Sequence, residues 1–452
     1  MPLDPAYKAG PAEYLPVKAM PRQGTLSQAN EIYRKEGMGM RRKHLSSSKL
    51  WIGILSVVVF SFVTGGWVFA QPVKEVKVGA LYTLSGALAQ SGVRQKNVTE
   101  LAVEEINARG GIKALGGAKL TVVYGDSQGK PDIAVSETER LIQNEKVSVM
   151  MDVAPSVCTL AATSVAERLK TPFLATVSFA DSITERGYKY TFQQEPKVLE
   201  VARQQIIFVD YLNKLLGGKL KKAALLYEDT DYGQMGARGR RTFLKDAGYP
   251  VAADISFPSR TPNYDPILIK LKAGDPDFVL DASYLSDAIL IAKTAKKMDL
   301  LNIPWIASGT KTEAAYWEVM GNEDPGAFCV SMWGPDISPE ANAINERYKA
   351  KYGGNLDGVI ILTYQGTWVV KEALEKAGSA DREAIRNALA TIEIKPGPTL
   401  FMPYKNIQFN EKGLNTGGGF TFIQIQGGKA VTVFPERFAA KKIDISMFTK
   451  FK

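Results

Sequence analysis

Histidine is nearly absent from this chain of 452 residues, which has one, His44. The chain beyond Ala70, where we predict that an export leader ends, therefore has no imidazole. This excludes histidine triads, histidine acid and base catalysis and imidazole metal sites from that part of the chain. The short motif of phosphate-binding loops is absent as well. We expect no enzyme, no metal and no cofactor, although a hydrolase that uses only carboxylates would leave little trace in a sequence.

Cysteine is almost as scarce, and a strong excess of charge is missing too. Cys158 and Cys329 are 171 positions apart, without the short spacing of a metal site. They are either two separate buried thiols or a disulfide, which needs α-carbons within ~7 Å.

Without residues 1–70, which hold nine basic and four acidic side chains, 47 basic and 43 acidic side chains remain. This small excess gives no case for a nucleic acid partner.

Long apolar runs are missing except near the start of the chain. Residues 50–70 form a run of 21 residues without a charge, preceded by a basic cluster at 41–43. A basic start, an apolar core and small residues before a cut predict a signal peptide over 38–70, cleaved after Ala70, and a periplasmic protein. The run is also long enough to span a bilayer, so a membrane anchor is the alternative. Residues 1–37 are polar, unlike a signal start, and are interpreted as an upstream segment.

Short apolar segments then alternate with amphipathic ones. The first unit is a strand at 76–81, a polar turn, a helix that ends at Gly110-Gly111, and a strand at 120–124. Such alternation predicts parallel sheets with helices on both faces. The number of units exceeds one open sheet, so we predict two doubly wound α/β lobes. The later predicted segments are helices at 133–143, 159–169, 198–215, 236–247 and 286–298, and strands at 147–151, 172–175, 223–227, 278–280 and 304–307.

The last part of the chain has a different pattern. After Lys395-Pro396-Gly397-Pro398, residues 408–433 resemble antiparallel strands. We predict turns at Gly417-Gly418-Gly419 and at Gly427-Gly428, since glycine is typical of hairpin turns. The glycine run is therefore interpreted as hairpin chemistry and not as a phosphate cradle.

Several short motifs at turns and helix ends follow one another in a specific order, namely Leu84-Ser85-Gly86, Ile106-Asn107-Ala108, Gly110-Gly111-Ile112, Asp126, Thr184-Glu185-Arg186-Gly187-Tyr188 and Asp231-Tyr232-Gly233. In this order the chain resembles the type I periplasmic binding proteins of the leucine/isoleucine/valine-binding family from Val76 to Phe434. The resemblance implies two mainly parallel lobes joined by a three-strand hinge, with lobe 1 at 71–194 and 330–418 and lobe 2 at 195–329 and 419–452. It also implies a monomer that captures a small molecule by hinge closure and delivers it to the inner-membrane permease and ATPase of an ABC importer.

The resemblance further implies ligand-binding residues at the strand ends of both lobes. In lobe 1, Ser156 and Thr159 match a serine-rich loop that holds a ligand carboxylate, although serine and threonine also favour helix caps. Ser85 lies in the first turn between a strand and a helix, where free backbone N–H groups meet a polar or anionic ligand. The other candidates at matching positions are Ser91, Ser178, Phe179, Tyr232, Ser283 and Tyr284.

The loop after Ala307 departs from the family pattern. Amino-acid binders place an acidic side chain there to pair with the ligand ammonium, whereas this chain has Thr310 and Lys311. An unpaired buried ammonium costs several kcal/mol. Either Glu313 or Asp281 substitutes from a shifted position, as in a branched-chain amino acid binder, or the ligand has no ammonium. We favour an organic acid with an apolar or aromatic body, bound near Lys311. A membrane-anchored sensor with the same clamp is the alternative function.

Overall fold

The computed structural model describes residues 73–152 and 155–452. The predictions of an upstream segment, a signal peptide and a cleavage site concern residues 1–70 and lie outside the described part. Within the described part, no helix is both long enough and apolar enough to cross a membrane.

The first sheet consists of five parallel strands, β1 (Glu75–Tyr82), β2 (Lys119–Asp126), β3 (Val149–Asp152), β4 (Phe173–Ala175) and β5 (Thr191–Gln193), in the order β2-β1-β3-β4-β5. Its helices are α1 (Ala89–Ala108), α2 (Pro131–Glu139) and α3 (Ser156–Arg168). Helix α1 buries Val98, Leu101 and Ile106, which recur at helical spacing. It ends where predicted, because Gly110 and Gly111 take left-handed conformations with φ of 100° and 67°.

The second sheet begins with β6 (Ala223–Glu228), β7 (Val251–Phe257), β8 (Phe278–Ala282), β9 (Trp305–Ala307) and β10 (Phe328–Ser331) and is completed by β13 (Thr421–Gln426) and β14 (Lys429–Phe434). The order is β14-β13-β10-β9-β8-β6-β7, and its antiparallel pairs are β10 with β13 and β13 with β14. The accompanying helices are α4 (Val198–Leu215), α5 (Asp231–Asp246), α6 (Asp265–Ala273), α7 (Leu285–Lys297) and α8 (Ala314–Met320). Strand β7 was not predicted, because this edge strand leaves most of its side chains partly or fully exposed and has no apolar run.

The third part of the chain returns to the first sheet as α9 (Pro339–Tyr352), α10 (Ile360–Ala377), α11 (Arg382–Thr391) and the antiparallel pair β11 (Glu393–Ile394) and β12 (Ile407–Gln408). One large apolar core joins residues of 76–192 and 332–409, and a second joins residues of 201–330 and 422–451. The chain therefore changes core three times, between 192 and 201, between 330 and 332 and between 409 and 422. Two α/β lobes with mainly parallel sheets confirm the predicted fold class.

One of the two predicted glycine turns is wrong. Gly427 and Gly428 do join β13 to β14, with φ of 59° and 72°. Gly417 and Gly419 instead lie against passing backbone, and a Cβ atom on Gly417 would meet the carbonyl oxygen of Asn406 at 2.2 Å. Glycine is needed there for close approach and not for a turn.

The two cysteines are separate buried thiols, as the simpler of the two interpretations predicted. Cys158 lies in α3 and Cys329 in β10, and neither forms a disulfide. They belong to different apolar clusters, one in each half of the structure. Burial raises the pKa of the Cys329 thiol to about 12, so it is uncharged and unreactive at neutral pH.

Candidate ligand-binding site

A cavity of about 160 Å³ lies between the facing edges of the two sheets. The carboxyl ends of parallel strands meet at one edge, which is where open α/β sheets bind ligands. Segments that follow β1, β2 and β3 line it from lobe 1, and segments that follow β6, β7 and β8 line it from lobe 2. The lining residues are Ala87, Leu88, Gln128, Gly129, Pro155, Ser156, Val157, Thr230, Tyr232, Ser259, Arg260, Tyr284 and Ser286.

Three of the predicted site residues, Ser156, Tyr232 and Tyr284, line this cavity together. The hydroxyl of Tyr232 donates a hydrogen bond to the carbonyl of Ser308 at 2.7 Å, and its ring stacks on Tyr284 at 6.2 Å between centroids. Phe179 of lobe 1 packs against Tyr232 at 6.5 Å. Burial raises the pKa of Tyr232 to about 12, so the cavity has a neutral aromatic surface at physiological pH.

The other predicted residues of lobe 1 have partners within their own lobe. The hydroxyls of Thr159 and Ser178 are 2.6 Å apart, and both side chains are buried. Ser85 is exposed and donates a hydrogen bond to the carboxylate of Asp126 at 2.6 Å, which shapes the turn after β1. None of these three candidates is among the described residues that line the cavity.

In lobe 2, Ser283 and Thr310 hold the strand ends together. Ser283 donates to the Oδ1 atom of Asp281 at 2.9 Å, and Thr310 donates to the carbonyl of Ser283 at 2.6 Å. Asp281 is completely buried, and burial raises its pKa. These residues support the rim around Tyr284 but are not among the described lining residues.

Lys311 points into lobe 2 and not into the cavity. A single turn of 3₁₀ helix at Thr310–Thr312 carries it inward, where it is completely buried. Its Nζ atom lies 2.8 Å from the carboxylate of Asp324, which also accepts a hydrogen bond from Tyr316. The charge of Lys311 is therefore compensated inside the lobe, and Lys311 is not among the described residues that line the cavity.

The cavity does contain a cation, Arg260, which was not among the predicted site residues. It carries the only formal charge among the described residues that line the cavity. Arg260 belongs to the polar loop after β7, so recognising that edge strand would have placed this loop at the ligand-binding end of the sheet. The cavity also meets the amino ends of α3, α5 and α7, whose free N–H groups and dipoles favour negative charge.

Polar contacts bridge the two lobes beside the cavity. Ser91 of α1 donates a hydrogen bond to the Oε2 atom of Glu313 at 2.8 Å. The backbone N–H of Ala314 donates to Asp357 at 3.0 Å, and Arg94 pairs with the same carboxylate at 2.8 Å. Burial and the negative charge of Asp357 raise the pKa of Glu313 to about 7. Ser91, predicted to bind the ligand, thus holds the lobes together through Glu313.

This contact predicts a pH dependence of ligand affinity. With the lobes in this arrangement, burial and Asp357 raise the pKa of Glu313 from the ordinary 4.5 to about 7. We expect separation of the lobes to return the pKa towards 4.5, so the bound proton stabilises the closed form at low pH and this stabilisation is lost as the pH rises through 7. Titration calorimetry should show affinity about tenfold lower at pH 8 than at pH 6. Glu313→Gln should remove this difference. The exposed Glu318 of α8, the helix that Glu313 precedes, offers the control Glu318→Gln, which should keep the pH dependence. An unchanged slope in Glu313→Gln would exclude this role.

Two α/β lobes, three chain crossings and a cavity between facing sheet edges define a two-lobed solute-binding protein. The sequence model of the periplasmic binding protein family matches residues 75–429, and the chain belongs to this family. It is 31% identical over 382 residues to the Leu/Ile/Val-binding protein homolog 7 of Brucella abortus, covering 82% of this chain and 94% of that protein.

Among the solved structures that share the fold, two contain different ligands. One is the branched-chain amino acid substrate-binding protein LivJ of Streptococcus pneumoniae in complex with isoleucine, with 24% identity, a TM-score of 0.68 and coverage of 79% of this chain and 98% of that chain. The other is a solute-binding protein of an ABC transporter from Rhodopseudomonas palustris in complex with 3,4-dihydroxybenzoic acid. It has 21% identity, a TM-score of 0.71 and coverage of 82% and 99%.

Proposed function

We propose that this protein captures a small organic acid with an apolar or aromatic body between its lobes and delivers it to the permease and ATPase of an ABC importer. Membership of the periplasmic binding protein family supports the capture role without catalysis. The observation that carries the choice of ligand is the charge of the cavity, which has a cation, Arg260, and no acidic side chain among its described lining residues.

This charge balance favours a carboxylate over an amino acid. The ammonium of an amino acid would lie unpaired in the cavity, at a cost of several kcal/mol. The two carboxylates that were considered as substitutes have other partners, since Glu313 accepts from Ser91 and Asp281 accepts from Ser283. The rings of Tyr232 and Tyr284 provide a surface for an apolar or aromatic body. Proteins of this fold accommodate both ligand classes, isoleucine in one relative and 3,4-dihydroxybenzoic acid in another.

Closure follows from contacts on both sides of the cavity. A ligand favours the closed form only by its extra affinity for that form, so it has to touch both lobes at once. Ser156 at the start of α3 belongs to lobe 1, while Tyr232 and Tyr284 belong to lobe 2. An acid that reaches all three residues therefore pulls the lobes together.

Pairs of ligands that differ by one ammonium group test this function. Calorimetry on protein freed of ligand by unfolding and refolding would compare 4-methylpentanoate with leucine and 3-phenylpropanoate with phenylalanine. We expect the acid of at least one pair to bind, and to bind ten times or more tightly than its amino acid, because no acidic side chain is among the described residues that line the cavity. Tighter binding of leucine than of 4-methylpentanoate would support the branched-chain amino acid alternative instead.

We further propose that the protein is exported from the cytoplasm. The apolar run at 50–70 is proposed to be a signal peptide that is cleaved after Ala70, which releases a monomeric periplasmic protein. The alternative, a ligand sensor anchored by the same run, differs in its amino terminus. Sequencing the exported protein distinguishes the two, since a start at Gln71 removes the anchor.

A further inference from the structure

Arg260 is held in the cavity by an unusual piece of backbone. Its φ is 66°, a left-handed conformation that non-glycine residues rarely adopt. Such conformations persist only where the surroundings enforce them, and they cluster at functional sites. What enforces this one is Asp287, a buried residue in the first turn of α7.

The Asp287 carboxylate is saturated by the loop that carries Arg260. It accepts hydrogen bonds from the backbone N–H of Arg260 at 3.0 Å, from the hydroxyl of Tyr264 at 2.8 Å and from the hydroxyl of Ser259 at 3.3 Å. Asp287 therefore uses its hydrogen bonds to fix the main chain of Arg260 and not to bind the Arg260 guanidinium. Among the described residues, no carboxylate forms an ion pair with the exposed Arg260 guanidinium.

The opposite wall of the cavity complements this cation. It is formed by Pro155, Ser156 and Val157 at the amino end of α3, a helix of 13 residues. The first turn of α3 has no acidic residue, and no side chain caps it. Its N–H groups and its dipole therefore also favour an anion. The two lobes thus present one anion-binding element each.

We propose that Arg260 is the residue that binds the ligand carboxylate from lobe 2, opposite the amino end of α3 in lobe 1, so that one carboxylate joins the lobes. Asp287 acts as the positioning residue for this arginine. The inference rests on the proposed function and names the residue that selects acids over their uncharged analogues. A guanidinium suits this role because it matches the two oxygens of a carboxylate with two parallel N–H groups.

The test compares acids with their primary amides, which have the same shape and no charge. Calorimetry would measure benzoate against benzamide, 3-phenylpropanoate against 3-phenylpropanamide and 4-methylpentanoate against 4-methylpentanamide. The variants are Arg260→Gln and Arg260→Gly, the second of which accepts the left-handed backbone without strain. Arg238→Gln, an exposed arginine of lobe 2 outside the lining of the cavity, is the matched control.

We expect both Arg260 variants to bind the acids roughly 10- to 100-fold more weakly, while amide binding changes by about twofold or less. Arg238→Gln should bind both like the unchanged protein. If Arg260→Gln and Arg260→Gly keep the full preference for acid over amide, the inference is overturned and the proposed function stands. If the unchanged protein binds none of these acids, the proposed function fails and the inference falls with it.

Discussion

Replacing Asp324 by alanine is expected to lower the free energy of unfolding by about 3–5 kcal/mol, because it leaves the buried ammonium of Lys311 without a partner. The two side chains are 0% and 1% exposed and 2.8 Å apart. Removing one charge of such a pair is far more costly than replacing both. Chemical denaturation followed by fluorescence measures the effect directly.

Two further variants identify the cause. Glu139→Ala breaks an ion pair between Glu139, which is 41% exposed, and Arg168, which is 57% exposed. It should lower the free energy of unfolding by less than about 1 kcal/mol. The double variant Lys311→Met and Asp324→Leu removes both buried charges and should recover most of the lost stability. It should also bind acids as well as the unchanged protein does. A stable double variant that no longer binds them would return Lys311 to the ligand site.

Replacing Glu195 by glutamine is expected to stabilise the protein, and to do so by about 3 kcal/mol more at pH 8 than at pH 5. Glu195 is completely buried at the first crossing between the lobes, where Tyr404 donates to it at 2.9 Å and Gln194 at 3.0 Å. Burial raises its pKa to about 8. Because the folded-state pKa is raised, the stability due to the bound proton is complete below pH 4.5 and is lost as the pH rises towards 8.

Glutamine has the shape of the protonated side chain and needs no proton at any pH. The exposed Glu411 offers a control, since Glu411→Gln should change stability equally little at both pH values. Urea denaturation at pH 5 and pH 8 gives the comparison. A Glu195→Gln variant that is no more stable than the unchanged protein at pH 8 would show that this carboxyl is ionised in the folded state.

Local patterns were sufficient for much of the fold. The helix at Val198–Leu215 was predicted to the residue, since its apolar positions recur at helical spacing and bury Val201, Val209 and Leu212. The edge strand β7 escaped because most of its side chains stay partly or fully exposed, which removes the apolar signal. The prediction of a turn at Gly417 was wrong because glycine is needed there for the close approach of Asn406. Asn406 lies outside the glycine run, so the residues around Gly417 give no sign of this contact.

The residues of the site likewise divide into those that could be predicted from the sequence and those that could not. Ser156, Tyr232 and Tyr284 were found because the family resemblance implies ligand-binding residues where strands of both lobes end, and these strand ends face the same cavity. The partners of Ser91 and Lys311 were not foreseeable, since Ser91 meets Glu313 at a distance of 222 positions and one 3₁₀ turn decides the direction of Lys311. Side-chain direction in a short loop depends on tertiary contacts, which no spacing in the sequence encodes.

We expect the cavity between the lobes to receive an acid without an ammonium group. Mass spectrometry of the ligand that leaves the exported protein on unfolding tests it most directly. The cation of Arg260 and the absence of acidic side chains among the described lining residues predict an apolar or aromatic carboxylic acid. Recovery of leucine, isoleucine or valine in equimolar amount with the protein would contradict the claim.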